Sequence, residues 1–202
     1  MPNGLLQSRV STFFSGKDAL RSLSNFWECM VVLDGREYES GEHAFHGEKY
    51  TRLGEMANDP TRRRVLLEHG RTFLRPSQYT TAAVAKRMGG KRGLELSSVE
   101  LQTWDTLSLD VQFGICEWKA CRYARVRDDL IASVGKILIH PALRCSDDKL
   151  ASRIWEGRAV VHDGRVVVLG RNTLGRMWMQ IRDDIGARSQ VDSNATNSTY
   201  AV

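Results

Sequence analysis

The sequence predicts a helix-rich α+β single domain in which short antiparallel strands form hairpins near both ends of the chain. Two Asp-Gly pairs, Asp34-Gly35 and Asp163-Gly164, each stand between short runs of strand-forming residues. Asp-Gly is the preferred chemistry of a two-residue hairpin turn. Between the two pairs, apolar residues recur with helical spacing. Strands at both ends with helices between them are typical of the α+β class.

The predicted domain covers residues 11–186 of the 202-residue chain. Hydrophobic residues make up 42% of the sequence and charged residues 26%, which is enough apolar material for one core. Residues 1–10 carry little pattern and are expected to be flexible. Residues 187–202 are rich in Ser and Asn, a composition typical of a disordered tail.

The elements in between are predicted from caps, turns and periodicity. Ser40 and Asp59-Pro60 are candidate helix starts, and Ser97 with Glu100 fits a capping box. In chain order, we predict a strand at 12–14, a hairpin at 28–33 and 36–38, helices from 41 to about 57 and from 60 to about 73, a short helix from 77 that stops at 89–90, two helices within 107–138, a strand at 137–139, a hairpin at 159–162 and 166–169, and a helix at 173–184.

Composition narrows the function classes only slightly. The net charge of +5 is compatible with a nucleic-acid or phosphate-bearing partner. The four cysteines form no CxxC pair and the histidines no HExxH pattern, so we expect reduced thiols, no metal site and no cofactor. The sequence lacks a long apolar run and a signal-peptide pattern. We therefore expect a protein without a membrane partner, in the cytoplasm or nucleus.

The most informative stretch is the helix that begins after Ser40. One predicted face carries Glu42, Phe45, Lys49, Leu53 and Met56. A carboxylate and an ammonium thus share an otherwise apolar stripe, about 10 Å apart along the axis, which is too far for an easy direct pair. Either both groups converge on a bound molecule, or the stripe is half-buried and both side chains reach water.

Three further segments contain candidate binding residues. Gly170-Arg171-Asn172 turns a predicted strand into a helix that includes Gly175, and a helix N-terminus beside glycines and an arginine is suited to phosphate. A plain capped turn is equally compatible. Ser24-Asn25, next to Phe26, can read ribose hydroxyls or a base edge, although a local cap is the favoured interpretation. Trp104 beside Asp105 offers a stacking ring, but tryptophan at a helix start is more often core.

Taken together, these motifs resemble the NADAR superfamily. The resemblance covers about residues 12–185 and consists of separated motifs in the right order, namely Leu23-Ser-Asn-Phe26, Glu42-His43 with Lys49, Lys86 before a glycine loop, Trp104, and Gly170-Arg-Asn-x-Leu-Gly175 followed by Met179 and Arg182. The chain departs from the family pattern at Gln112-Phe113, where the family has Lys-Phe, and at Ser152, where an acidic residue is usual.

The resemblance implies an N-glycosidase that breaks the bond between ribose C1′ and a base or amine. Such a reaction needs negative charge near C1′, which Glu42 could supply. Lys49 could form a Schiff base with the opened ribose. The implied substrate contacts are Ser24, Asn25, Phe26, His43, Phe45, Lys86, Trp104, Asp105, Gly170, Arg171, Asn172 and Gly175.

The resemblance leaves three functions open. Our first expectation is removal of ADP-ribose from guanine in nucleic acid, with DNA as the partner, because 62–64 and 86–92 are rich in basic residues that could meet a phosphate backbone. The second is cleavage of a phosphorylated riboflavin-pathway intermediate. The third is an ADP-ribose-binding module without turnover.

Overall fold

The computed structural model describes residues 2–14, 19–90, 92–143 and 145–198, and it confirms the helix-rich α+β class. The contacts form two compact units. The central unit is described over residues 21–90 and 92–122, and the terminal unit over 2–14, 19–20, 123–143 and 145–198. The elements in chain order are α1 Pro2–Arg9, β1 Val10–Thr12, β2 Glu28–Leu33, β3 Arg36–Ser40, α2 Gly41–Met56, α3 Pro60–Arg71, α4 Ala82–Gly89, α5 Ser98–Arg122, α6 Ala124–Ala132, β4 Ile137–Ile139, α7 Asp147–Leu150, β5 Arg158–His162, β6 Arg165–Leu169 and α8 Thr173–Ser198.

The central unit is built around α2. Both turn residues of the β2–β3 hairpin, Asp34 and Gly35, have positive φ (48° and 76°), as a tight two-residue hairpin turn requires. The hairpin delivers the chain to Ser40, whose Oγ accepts from the backbone N–H of His43 and caps α2 as predicted. Helices α3, α4 and α5 and the hairpin all pack against α2.

Because α2 is surrounded, its burial differs from the predicted single stripe. Most residues of α2 are buried, and they lie on several faces of the helix. Glu48 and Tyr50, for example, are buried although they lie off that stripe. Met56, at the end of the stripe, is 59% exposed. Helical spacing therefore identified the helix correctly, but it did not identify which faces are buried, because neighbours cover several faces at once.

Two of the helices that pack against α2, α3 and α5, begin at the caps that the sequence predicted. Asp59 accepts hydrogen bonds from the backbone of Thr61 and Arg62 at the start of α3. The capping box before α5 is also confirmed, since Ser97 N–H donates to Glu100 and Glu100 N–H donates to Ser97 Oγ. Helix α4 begins later than predicted, at Ala82, because Thr81 is its capping residue.

The terminal unit contains two strand pairs. Its antiparallel hairpin β5–β6 turns at Asp163 and Gly164, as predicted. Strands β1 and β4 form a parallel pair, whereas only antiparallel strands were predicted. The first strand also lies at Val10–Thr12 instead of 12–14, because its register is set by β4, far along the chain. The buried core of this unit includes Phe13, Leu138 and Trp178.

Three predicted helix boundaries differ from the structure. The helical region predicted at 107–138 contains parts of two helices, but α5 begins at Ser98 and α6 ends at Ala132, with extended backbone at Tyr123 between them. Helix α8 runs to Ser198, beyond the predicted end at 184. Helical backbone thus occupies 2–9 and 187–198, and the flexibility of both ends stays a prediction. Residues 199–202 of the predicted tail lie outside the described residues. No helix within the described ranges combines the length and the apolarity that crossing a bilayer requires.

Candidate active site

The candidate active site lies at the start of α2 in the central unit, where the carboxylate of Glu42 is nearly buried. Glu42 is only 7% exposed. Its backbone N–H donates to Asn25 O at 3.0 Å, which fixes the first turn of the helix. Its Oε1 lies 3.3 Å from His46 Nε2 and 3.8 Å from Lys86 Nζ. Glu42 is therefore a desolvated carboxylate beside one imidazole and one exposed ammonium group.

His46 is the site residue that sequence reasoning missed. It is 9% exposed, and its Nδ1 atom is buried with no hydrogen-bond partner among the described residues. Burial lowers the pKa of His46, and the positive charges of Lys49 and Lys86 act in the same direction, while Glu42 opposes them. The spacing of Glu42 and His46, four residues apart on one helix, was the available signal.

The ammonium group of Lys49 is bound by a backbone carbonyl at the end of α4. Its Nζ donates to the carbonyl of Gly89, at the end of α4. Its Nζ also lies 4.6 Å from the centre of the Tyr50 ring, and the Tyr50 hydroxyl donates to the same carbonyl at 3.3 Å. Burial lowers the pKa of Lys49 to about 8. Lys49 is 7% exposed, and a pKa of about 8 corresponds to a minor fraction of free amine near neutral pH.

Two half-buried aromatic rings lie against the neighbours of Glu42, Phe26 near Lys86 and Phe45 near His46. Lys86 Nζ lies 5.2 Å from the ring centre of Phe26, which is half-buried. The ring of half-buried Phe45 meets Trp104 edge to face at 5.0 Å. Trp104 is 7% exposed, so it supports Phe45 from the core; it lies in the second turn of α5 and not at the helix start that the sequence predicted. The site thus offers two partly accessible rings, Phe26 and Phe45, beside the two side chains that lie near the Glu42 carboxylate.

Comparison with known proteins identifies the fold. No protein-family model matches the chain, and no curated protein matches it. Among solved structures, the chain is similar to the E. coli protein YbiA, determined by NMR, with a TM-score of 0.57 and 21% identity over 90% of this chain and 88% of that chain. The chain has the fold of that protein. At this level of identity, the likeness concerns the fold and leaves the activity open.

Ser24 makes the local contact that the cap interpretation predicts, whereas the Asn25 side chain makes a long-range one. Ser24 Oγ accepts from Phe26 N–H at 3.2 Å. The Asn25 amide pairs reciprocally with Gln112, with N–O distances of 2.7 and 3.1 Å. Gln112, the first of the two departures from the family pattern, therefore anchors the segment that holds the Glu42 backbone. A role for Ser24 and Asn25 in substrate binding stays a prediction.

His43 and Asp105 have different surroundings from Glu42. The two ring nitrogens of His43 lie 2.8 Å from Ser40 Oγ and 2.8 Å from Tyr79 O, so the imidazole joins the helix cap to the segment before α4. Asp105 is exposed on α5. For both residues, contact with a substrate stays a prediction.

The loop Gly170-Arg171-Asn172 belongs to the terminal unit. Of its two polar side chains, one is buried and one is exposed. Asn172 is 1% exposed, with φ of 46°, and its amide donates to Leu138 O at 2.8 Å and accepts from His140 N–H at 3.1 Å. Asn172 therefore joins this loop to β4. A Cβ on Gly175 would overlap Leu138 O and the Asn172 amide, which explains that glycine. Arg171 is exposed, and phosphate binding by it stays a prediction.

The three arginines at 62–64 differ in their surroundings. Arg62 forms a two-point ion pair with Glu100, with both N–O distances 2.7 Å, and lowers the pKa of Glu100 to about 2. Arg63 donates to Ala57 O at 3.0 Å. Arg64 is exposed. Only part of the run is thus available to an external phosphate. Across the described ranges, no three His, Cys, Asp or Glu side chains form a group suited to a metal ion.

Proposed function

We propose that the protein is an N-glycosidase that hydrolyses the C1′–N bond between ADP-ribose and guanine in nucleic acid. The NADAR-like fold supports the reaction class, and the resemblance of the separated sequence motifs supports the ribose-containing substrate. The single observation that carries the proposal is the buried Glu42 carboxylate, which has His46 and Lys86 on one oxygen and two partly accessible rings nearby.

This arrangement suits cleavage through an oxocarbenium-like transition state. As the C1′–N bond breaks, its electron pair leaves with guanine and positive charge develops on C1′ and the ring oxygen. A carboxylate in a desolvated position stabilises that charge more strongly than one in water. Water then adds its oxygen to C1′ and gives up a proton, which balances the protonation of the leaving guanine. The products are ADP-ribose and unmodified guanine.

Lys49 provides a second step. The released ribose opens to an aldehyde at C1′, and an amine condenses with an aldehyde to an imine with loss of water. The pKa of about 8 leaves Lys49 partly unprotonated at neutral pH. We propose that Lys49 captures the opened sugar in this way and that hydrolysis of the imine regenerates the amine.

The choice of nucleic acid as the partner is supported by charge. The chain has a net charge of +5. In the central unit, basic side chains that point to solvent include Arg64, Arg71, Arg87 and Arg92. A phosphate backbone would contact several such side chains, whereas a small phosphorylated intermediate would need few of them.

The test is incubation of the protein with an ADP-ribosylated DNA oligonucleotide and, separately, with a phosphorylated ribosylamino-pyrimidine. Mass spectrometry would follow free ADP-ribose or ribose phosphate. We expect release of ADP-ribose from the oligonucleotide at a rate that scales with enzyme. Release of ribose phosphate alone would assign the riboflavin-type reaction instead. Calorimetric binding of ADP-ribose without release from either substrate would make the protein a binding module.

A further inference from the structure

The atoms around His46 fix the direction in which each of its two ring nitrogens points. Its Nε2 faces Glu42 Oε1 at 3.3 Å, and its Nδ1 lies on the opposite side of the ring, buried and without a hydrogen-bond partner among the described residues. A Cβ on Gly89 would overlap the ring at Cγ and Nδ1, so the last residue of α4 packs directly against this side. The rings of Phe45 and Phe73 lie 5.4 and 6.2 Å away. These neighbours leave His46 only 9% exposed, with Nδ1 against Gly89 and Nε2 toward Glu42.

This enclosure selects one tautomer of the neutral ring. A proton on Nδ1 would be a buried N–H without an acceptor, which costs about 1–3 kcal/mol. A proton on Nε2 is next to a carboxylate oxygen. Of the charged groups that act on the ring, Lys49 on α2 and Lys86 on α4 disfavour a second proton, and Glu42 alone favours one. The neutral Nε2–H form is therefore favoured, because its N–H faces an acceptor and its buried Nδ1 carries no proton.

We propose that His46 is a positioning residue that donates Nε2–H to Glu42 and holds this carboxylate in the orientation needed for the reaction. The inference rests on the proposed function, and it adds a residue that the sequence motifs did not include. Lys86 cannot replace this donor, because its side chain is 63% exposed and its Nζ lies at 3.8 Å. A carboxylate displaced by about 1 Å can cost a hundredfold in rate, so a fixed donor is worth more than a mobile one.

Two substitutions separate donation from packing. His46→Gln keeps an N–H donor at similar reach, and His46→Leu keeps bulk but removes the donor. With ADP-ribosylated DNA, we expect kcat within about threefold of wild type for His46→Gln and about ten- to a hundredfold lower for His46→Leu, with KM little changed in both. His162→Gln, at an exposed histidine, is the matched control and should behave as wild type. Equal losses of kcat in the Gln and Leu variants, or none in the Leu variant, would overturn the proposal.

A second measurement does not depend on turnover. Imidazole ¹⁵N NMR of the wild-type protein near pH 7 should show His46 as the neutral Nε2–H tautomer, and Glu42→Gln should shift the Nε2 resonance more than Nδ1. An Nδ1–H tautomer, or no response to Glu42→Gln, would overturn the placement even if His46→Leu failed to fold. If the wild type releases no product from any substrate while the NMR result holds, the proposed function fails and the His46–Glu42 geometry stands.

Discussion

Glu42 is the residue on which the proposed chemistry depends. It is buried in the first turn of α2, where the positive end of the helix dipole favours negative charge, and Lys86 adds to that effect. A carboxylate in such a position is already oriented before substrate arrives. Stabilisation of a developing cation then requires little reorganisation of the site.

Glu42→Gln keeps the shape of this side chain and removes its charge. We expect turnover of ADP-ribosylated DNA to fall by about 10²–10⁴-fold, with ADP-ribose affinity and the melting temperature nearly unchanged, because the charge matters most in the transition state. Single-turnover assays, calorimetry and thermal melts measure the three quantities. Full activity in this variant would remove Glu42 from the mechanism.

The proposed imine on Lys49 can be tested by chemical trapping. Borohydride reduces an imine to a stable amine, so it should trap ADP-ribose on the wild-type protein, and mass spectrometry should map the adduct to the peptide that contains Lys49. Lys49→Arg should give no adduct, because a guanidinium stays protonated. Persistence of full activity in Lys49→Arg would leave the water-mediated route as the whole mechanism.

The lowered pKa of Lys49 also predicts how the stability of the protein changes with pH. Its pKa is about 8 in the folded protein and about 10.5 when unfolded. Between these values the unfolded chain binds more protons, so the free energy of unfolding rises with pH. Relative to Lys49→Met, the wild type should gain stability on the order of 3 kcal/mol from pH 8 to 10.5. Urea melts of both proteins across this range would test it, and a constant difference would contradict the lowered pKa.

Helix α2 shows how small residues allow close packing in the central unit. Gly47 lies in the interior of α2, and a Cβ there would stand 2.5 Å from Tyr38 Cε1 and 3.1 Å from Phe73 Cβ. Tyr38 is itself held, because its hydroxyl donates to buried Glu48 at 2.8 Å. The hairpin and α2 therefore approach each other at a distance that only glycine permits at this position.

Gly47→Ala and Gly114→Ala should have opposite effects. Alanine is the better helix former by about 1 kcal/mol, and at Gly114 on α5 the nearest atom to a new Cβ is Leu33 Cδ2 at 3.6 Å. We expect Gly114→Ala to stabilise the protein by about 0.5–1 kcal/mol. Gly47→Ala should destabilise it by about 1–3 kcal/mol, since the overlap exceeds the gain in propensity. Denaturant melts would decide, and stabilisation by both changes would show that Tyr38 can move.

The charge of the whole chain bears on its proposed partner. A net charge of +5 and solvent-facing arginines predict that DNA binding weakens as counterions compete for phosphates. Small ligands that carry only a diphosphate should respond much less. Salt dependence thus separates a nucleic-acid substrate from a small phosphorylated one without reference to turnover.

For three phosphate contacts, raising salt from about 50 to 200 mM should weaken DNA binding about 40-fold. Arg64→Gln, at an exposed position, should reduce the slope of affinity against salt by about one contact if it meets phosphate, with the melting temperature unchanged. Arg62→Gln is the comparison, because Arg62 is paired with Glu100 and its loss should lower stability instead. Fluorescence anisotropy and melts measure both, and a flat salt response would argue against a DNA partner.

Local chemistry was sufficient to predict the α+β class, both Asp-Gly hairpins, the Ser40 and Asp59 caps and the capping box before α5. Each depends on residues within a few positions of one another, so the sequence contains the whole cause. The same holds for Glu42 as an unusual carboxylate, since its place on the helix follows from the 3.6-residue period alone.

Tertiary structure decided the features that join distant parts of the chain. Asn25 pairs with Gln112, Lys49 donates to Gly89, and Asn172 joins β4, each across more than thirty residues. The parallel register of β1 on β4 is of the same kind. No local pattern specifies such pairs, because their energy arises only when packing excludes water from both partners. The four-residue spacing of Glu42 and His46 permits a contact, but only the packing of Gly89 against Nδ1 decides that Nε2 is the nitrogen that faces the carboxylate.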